Sequence, residues 1–183
     1  IASDRFATAH AKTRGINSES KPPILGWGHT TAPIALSDKL SESKNSRYVL
    51  PHARKAITDA YDRAGIDGHS SLDSYEFHDC FTTTSYASLD LVGLTEPGKN
   101  HNAIENGSIE RDGLLPLNPS GGLIGAGHPV GATGVRQLLD SYLQVSEKAG
   151  PYQVKLKNKN VLAVNMGGSG TTTVATVIGM NTA

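Results

Sequence analysis

The segment 118–134, NPSGGLIGAGHPVGATG, restricts the fold of this chain more than any other stretch. Gly121, Gly122, Gly125, Gly127, Gly131 and Gly134 all fall within it. A glycine inside a regular helix or strand costs roughly 0.5–1 kcal/mol relative to alanine, so the stretch reads as a tight loop ahead of a helix. Regular elements must flank it. Downstream, Val135, Leu138, Leu139 and Tyr142 recur at helical spacing and predict the buried stripe of a helix that starts near Gly131 and is closed by Gly150-Pro151. Residues 161–166 and 171–178 are then β-rich, and Gly167-Gly168-Ser169-Gly170 between them has the composition of a hairpin.

Upstream, residues 1–15 read as a short helix with Gly15 as its stop, and 17–23 as a connector ending in Pro22-Pro23. Ile24, Leu25 and Trp27 suggest a strand. Residues 37–46 hold four serines and read as a surface loop. Pro51 suits a first helical turn, and Ala53, Ala56, Ile57, Ala60, Tyr61 and Ala64 recur at three- and four-residue steps up to Gly65. Residues 72–78 read as a strand, because Tyr75 and Phe77 favour a pleated surface. A helix follows Cys80 and runs to about Leu91, with Thr82, Thr83 and Thr84 as capping hydroxyls. Residues 97–118 are polar and irregular. After the first helix the order is β-α-β-α-α-β-β, the pattern of an α/β sandwich with a mixed sheet.

Composition narrows the function. The 183 residues suffice for one domain with a core, and the formal net charge is zero. A nucleic-acid binder needs a basic face to neutralise phosphates, and here the charges are scattered. No apolar run approaches the roughly 20 residues that span a bilayer. Cys80 is the one cysteine, so there is no internal disulfide framework. The chain opens on Ile1 in mid-pattern, as expected of a fragment, a processed subunit or the ordered part of something longer.

Three motifs could carry chemistry. His128 lies between Gly127 and Pro129, where glycines allow close approach and the following helix N-terminus offers amide donors to a developing oxyanion. That terminus also disfavours imidazolium, leaving the ring able to act as a base. The phosphate-loop and dinucleotide patterns both fail, since no Gly-Lys-Ser/Thr follows and Gly131 falls one step too far. The second motif is His78-Asp79-Cys80-Phe81 at a strand end, where α/β folds gather sites. A thiol at a helix N-terminus has its thiolate stabilised, although four residues alone fit a buried, inert cysteine better. The third is Asn165-Met166-Gly167-Gly168-Ser169-Gly170, structural in isolation, with the Gly167 N–H as a candidate oxyanion donor. The remaining histidines show no metal-ligand spacing.

In this order the HDCF (78–81), GHPVGATG (127–134) and NMGGSG (165–170) motifs resemble the C-terminal half of thiolases, most closely the sterol-carrier-protein type with its HDCF motif. The resemblance covers nearly the whole chain. It implies the C-terminal half of the thiolase fold, a five-stranded mixed sheet with helices on both faces. Residues 1–20 would be the tail end of the N-terminal half and 21–183 the C-terminal domain. It implies an acyl-CoA acyltransferase that cleaves 3-ketoacyl-CoA thiolytically or runs the reverse Claisen condensation. CoA and acyl-CoA would be substrates, with no bound cofactor and no metal.

The resemblance also assigns roles. His128 would deprotonate the nucleophilic cysteine, His78 would help bind the thioester oxygen, Cys80 would be the acid/base at the α-carbon, and Gly167 would donate its N–H to the acyl-enzyme oxyanion. Phe81, Gly127 and Asn165 would line the substrate. Many thiolases carry the acid/base cysteine where Asn165 stands here, and in the HDCF subgroup that role passes to Cys80. The nucleophile belongs to the N-terminal half, in the same or a companion chain, and family members are usually homodimers or homotetramers. Their location is mitochondrial or peroxisomal in eukaryotes and cytoplasmic in bacteria. Two other readings fit the same motifs. One is a thiolase-like retro-aldolase or acyltransferase working with a partner subunit. The other is a non-catalytic protein that binds acyl-CoA.

Overall fold

A computed structural model of the chain describes residues 1–17 and 21–180; residues 18–20, part of the expected connector, lie outside them. The elements are α1 (Asp4–Arg14), β1 (Ile24–Thr31), α2 (Leu36–Lys44), α3 (Pro51–Ala64), β2 (Ser74–Phe77), α4 (Thr82–Leu91), α5 (His101–Glu105), α6 (Gly122–Ala126), α7 (Thr133–Val145), β3 (Asn160–Gly167) and β4 (Thr172–Gly179). The strands form one mixed sheet in the order β1-β4-β3-β2. Strands β2 and β3 run parallel; the β1–β4 and β3–β4 pairs are antiparallel.

The period of two in each strand sorts the chemistry. On one face, Ala175 and Val177 of β4, Leu162 and Val164 of β3 and Tyr75 and Phe77 of β2 join Ala53, Ala56, Ile57, Ala60 and Tyr61 of α3 in the main core. The helix reaches the sheet because both surfaces are small. A Cβ on Gly26 would strike the Ala60 carbonyl and one on Gly28 the Ala56 carbonyl. On the other face, Val161 and Ile178 pack with Val145 of α7 in a smaller cluster. This face also receives Ser74 and Glu76, paired with Val161 and Ala163 of β3.

Among the described residues the sheet has four strands rather than the five expected. Where a fifth would lie beside β2, one bridge joins Tyr75 to Leu117. The Tyr75 N–H donates to Pro116 O (3.0 Å) and the Asn118 N–H to Tyr75 O (2.9 Å). Asn118 then turns to φ 50°, and its side-chain amide stands in for the next strand residue. It accepts from the Phe77 N–H (2.6 Å) and donates to Phe77 O (3.1 Å). The strand ends there because the glycine segment begins.

Three further expectations are corrected. The serine-rich stretch is helical in α2, with no residue buried. Its serines lie on an exposed helix, and Lys39 Nζ ties that helix to Ser169 O and Thr171 Oγ1, both at 2.9 Å. The α4 N-terminus has no side-chain cap, so the three threonines do not serve as capping hydroxyls. The stripe expected to be buried on α7 is not: Val135 is 68% exposed and Leu139 53%. The helix turns Thr133, Gln137, Asp140, Ser141 and Gln144 inward instead. The irregular region 97–118 also contains α5. Among the described residues no helix is long and apolar enough to cross a membrane.

Candidate active site

Strand β2 continues its ladder one residue past its end, since the His78 N–H donates to Val164 O (3.0 Å). Alternation therefore places His78 on the α7 face, two residues beyond Glu76. There its Nδ1 meets Asn165 Oδ1 of β3 at 2.8 Å. A carbonyl oxygen only accepts, so in this orientation the His78 proton sits on Nδ1. Burial pushes the His78 pKa down. The neighbouring His128 ring adds to that, while the Asn165 bond and the Asp79 carboxylate pull the other way. The first turn of α7 comes close above Asn165 because Gly134 has no side chain. A Cβ there would lie 2.9 Å from Asn165 Nδ2.

The His128 ring stands edge-on to His78, with centroids 4.8 Å apart and planes at 87°. Its Nδ1 lies 2.6 Å from Thr133 Oγ1. The Thr133 hydroxyl gives its single proton to Pro129 O (3.2 Å), so it accepts from His128 Nδ1–H. A neutral His128 consequently presents Nε2 as a free base. That tautomer is fixed within one turn by GHPxxxT, a local signal present in the sequence.

Asp79 is 5% exposed and holds the other side of the site. Its Oδ1 accepts from the Leu123 N–H at 2.7 Å. The neighbouring Gly122 has φ 58°, and any Cβ on it would collide with Asp79 Oδ2. HDCF and the glycine segment are thus locked together through backbone that must be glycine. Cys80 and Phe81 follow at the surface, and the side-chain contact of Cys80 is Thr84 Oγ1 at 3.7 Å. Gly127 closes α6 at φ 81°, exposed to solvent. Gly167 ends β3, also exposed and two residues beyond Asn165. The structure thus joins His78, His128 and Asn165 directly. Cys80, Phe81, Gly127 and Gly167 lie on the same segments, and among the described residues no hydrogen bond or ring contact joins them to that trio.

Sequence reasoning gave no role to Glu76, Asp79, Asn118, Ser120, Thr133 or Arg136. Glu76 could have been found from its two-residue spacing to His78, and Asn118 and Thr133 from their places at the ends of the glycine segment.

A family model described as thiolase C-terminal domain-like matches residues 35–180. The chain belongs to the thiolase C-terminal domain family. Among this family's members it is similar to sterol carrier protein 2 of Rattus norvegicus, 31% identical over 154 residues, covering 84% of this chain and 27% of that protein. It is 37% identical over 160 residues to an acetyl-CoA acetyltransferase of Methanothermobacter thermautotrophicus, covering 82% of this chain and 41% of that protein. Such names support acyltransferase chemistry at the level of the family. In solved structures, the thiolase-like fold recurs in an Ltp2–ChsH2(DUF35) aldolase, with a TM-score of 0.65, 21% identity and coverage of 89% of this chain and 41% of that one. It recurs also in a monomeric SCP2-thiolase-like protein (type 1) from Mycobacterium smegmatis, with a TM-score of 0.64, 17% identity and coverage of 95% and 32%. The chain spans only about a quarter to two fifths of the length of these relatives.

Proposed function

We propose that the chain forms the C-terminal half of an acyl-CoA thiolase, which cleaves a 3-ketoacyl-CoA with CoA or runs the reverse condensation. The observation that carries this reading is the His78–His128 pair, delivered by two separate motifs and oriented by Asn165 and Thr133. Acyl transfer through a thioester needs a base beside a thiol and donors for an oxyanion. His128 Nε2 would take the proton of the nucleophilic thiol. The thiolate would add to the 3-keto carbon, and the C2–C3 bond would break to leave an acyl-enzyme and an enolate. Cys80 would protonate that enolate at carbon, and the thiolate of CoA would release the acyl group. The Gly167 N–H would serve the acyl-enzyme oxyanion, with Phe81 and Gly127 against the substrate.

His78 would donate to the thioester oxygen, which requires its proton on Nε2. A half-turn of the Asn165 amide supplies this: Nδ2 then donates to Nδ1, and the proton moves to Nε2.

The nucleophile must come from elsewhere, since Cys80 is the one cysteine. An uncovered apolar surface supports a companion half. Ile124, Val130, Val135 and Leu139 are exposed on the segments that carry His128, as are Trp27 and Val174 on the sheet. A patch formed by such residues would mark an interface. Helix α1 buries only Ala11, consistent with that helix packing on the companion half, and the whole enzyme would be a homodimer or homotetramer. The test is CoA-dependent cleavage of short- and long-chain 3-ketoacyl-CoA by the complete protein. Turnover lost in His128→Ala supports the thiolase reading. Absence of turnover in the wild type transfers the site to a retro-aldolase with a partner subunit or to acyl-CoA binding.

A further inference from the structure

The glycine segment that carries His128 has few means of holding still. Four of the eight residues 121–128 are glycines, and Ile124 and His128 are exposed. Besides the Asp79–Leu123 link and the His128–Thr133 bond, it has a polar anchor at its start. Glu76, 1% exposed on β2, spends both carboxylate oxygens on one residue. The Ser120 N–H donates to Oε1 (3.1 Å) and the Ser120 hydroxyl to Oε2 (2.7 Å). Arg136 of α7 closes the ring, donating to Ser120 Oγ (3.0 Å) and Gly122 O (3.1 Å). It also pairs with Asp140 at 3.0 Å.

We propose that Glu76 is a positioning residue for His128: through Ser120 it fixes the start of the glycine segment to the strand that delivers His78, so that the two imidazoles keep their edge-on geometry. The inference rests on the thiolase reading for its effect on turnover, but not for its effect on the ring. Every donor around the carboxylate suits its ionised form. Burial opposes that form and pushes the Glu76 pKa up to about 7, helped by Asp140 and opposed by the Ser120 donors and Arg136. Tyr152, hydrogen-bonded to Asp140 at 3.0 Å, is the other titratable group facing it, and His78 lies two residues along the strand.

As pH falls through about 7, Glu76 gains a proton, and one of the two oxygens that accept from Ser120 becomes an O–H, leaving one full acceptor for two donors. The consequences have opposite signs. A carboxyl raised by folding contributes stability that is present at acid pH and lost as pH rises through about 7. The positioning of His128 improves over the same interval. A structural carboxylate with no link to His128 would show the first effect alone.

The test uses the complete protein with Glu76→Gln, Glu76→Ala and Ser120→Ala, followed by thiolysis kinetics from pH 6 to 9 and by the nitrogen resonances of the His128 ring. Displacing a reacting group by about 1 Å costs on the order of 10²-fold. Glu76→Ala should lower kcat by that order with KM within about two-fold. Glu76→Gln, the neutral isostere of the protonated carboxyl, should recover only part of the loss, to the level of the wild type's acid limb, and flatten the limb near pH 7. The His128 resonances should shift in Glu76→Ala and Ser120→Ala. If Glu76→Ala does not fold, the other two variants decide. If the wild type shows no thiolysis, the thiolase reading fails and the resonances alone decide the positioning. Unchanged His128 resonances in the folded variants, or a wild-type pH limb in Glu76→Gln, overturn the proposal.

Discussion

Replacing Gly122 by alanine should loosen the link between HDCF and the glycine segment, and the size of the effect follows from two costs. The residue has φ 58°, and a left-handed backbone costs an L-residue about 1–2 kcal/mol. The new methyl would collide with Asp79 Oδ2 and lie 2.7 Å from Asn118 Nδ2. Asp79 cannot swing aside freely, because it is buried and accepts from the Leu123 N–H. Overpacking of this kind typically costs about 1–3 kcal/mol. A total of about 3 kcal/mol corresponds to roughly 10²-fold more frequent local opening. The assay is hydrogen exchange of the Leu123 amide in the complete protein, with Gly125→Ala as the control. Gly125 has no atom within 4 Å of its missing Cβ and an ordinary φ. Leu123 exchange within about three-fold of wild type in Gly122→Ala, or the same effect in Gly125→Ala, would refute this link.

Other substitutions probe other parts of the account. Thr133→Val removes the acceptor of His128 Nδ1–H at nearly constant volume; kcat should fall about 10- to 100-fold, by steady-state kinetics, because the tautomer is no longer fixed. Asn165→Asp places a full charge at 2.8 Å from His78 and should raise its lowered pKa, which histidine NMR titration would detect. In the wild type, His78's depressed pKa contributes stability that is present above about pH 6.5 and lost as pH falls through the folded value; denaturation at stepped pH should show that slope reduced in the Asp variant. Gly28→Ala forces α3 off β1 at the Ala56 carbonyl. It should cost several kcal/mol, on the order of 3, read as a lowered denaturation midpoint.

How much of this was legible depends on which partner each residue faces. Helix α3 was readable because its stripe and its partner both lie within the chain: Ala56 and Ala60 meet Gly28 and Gly26. Helix α7 was misread for the opposite reason. Its apolar residues Val135 and Leu139 are exposed, on the surface proposed to meet a companion half, while Gln137, Asp140 and Gln144 are buried. Periodicity locates an apolar face but does not say what covers it. Helix α2 was hidden because serine composition signals a loop, whereas its anchor, the Lys39 bonds to Ser169 and Thr171, is remote in sequence. The site followed the same division. His78 and His128 stand in motifs that announce themselves. Glu76 and Ser120 are ordinary residue types, and their meeting across 44 positions depends on the register of β2 against the segment after Leu117.

The most direct measurement is thiolysis by the complete protein in wild type and Cys80→Ser, followed together with solvent deuterium exchange at the substrate α-carbon. A general acid–base group contributes about 10²- to 10⁴-fold. The account predicts a thiolytically active wild type, and in Cys80→Ser a loss of both turnover and α-carbon exchange within that range, with the enzyme still acylated. Equal turnover and exchange in the two proteins would contradict it.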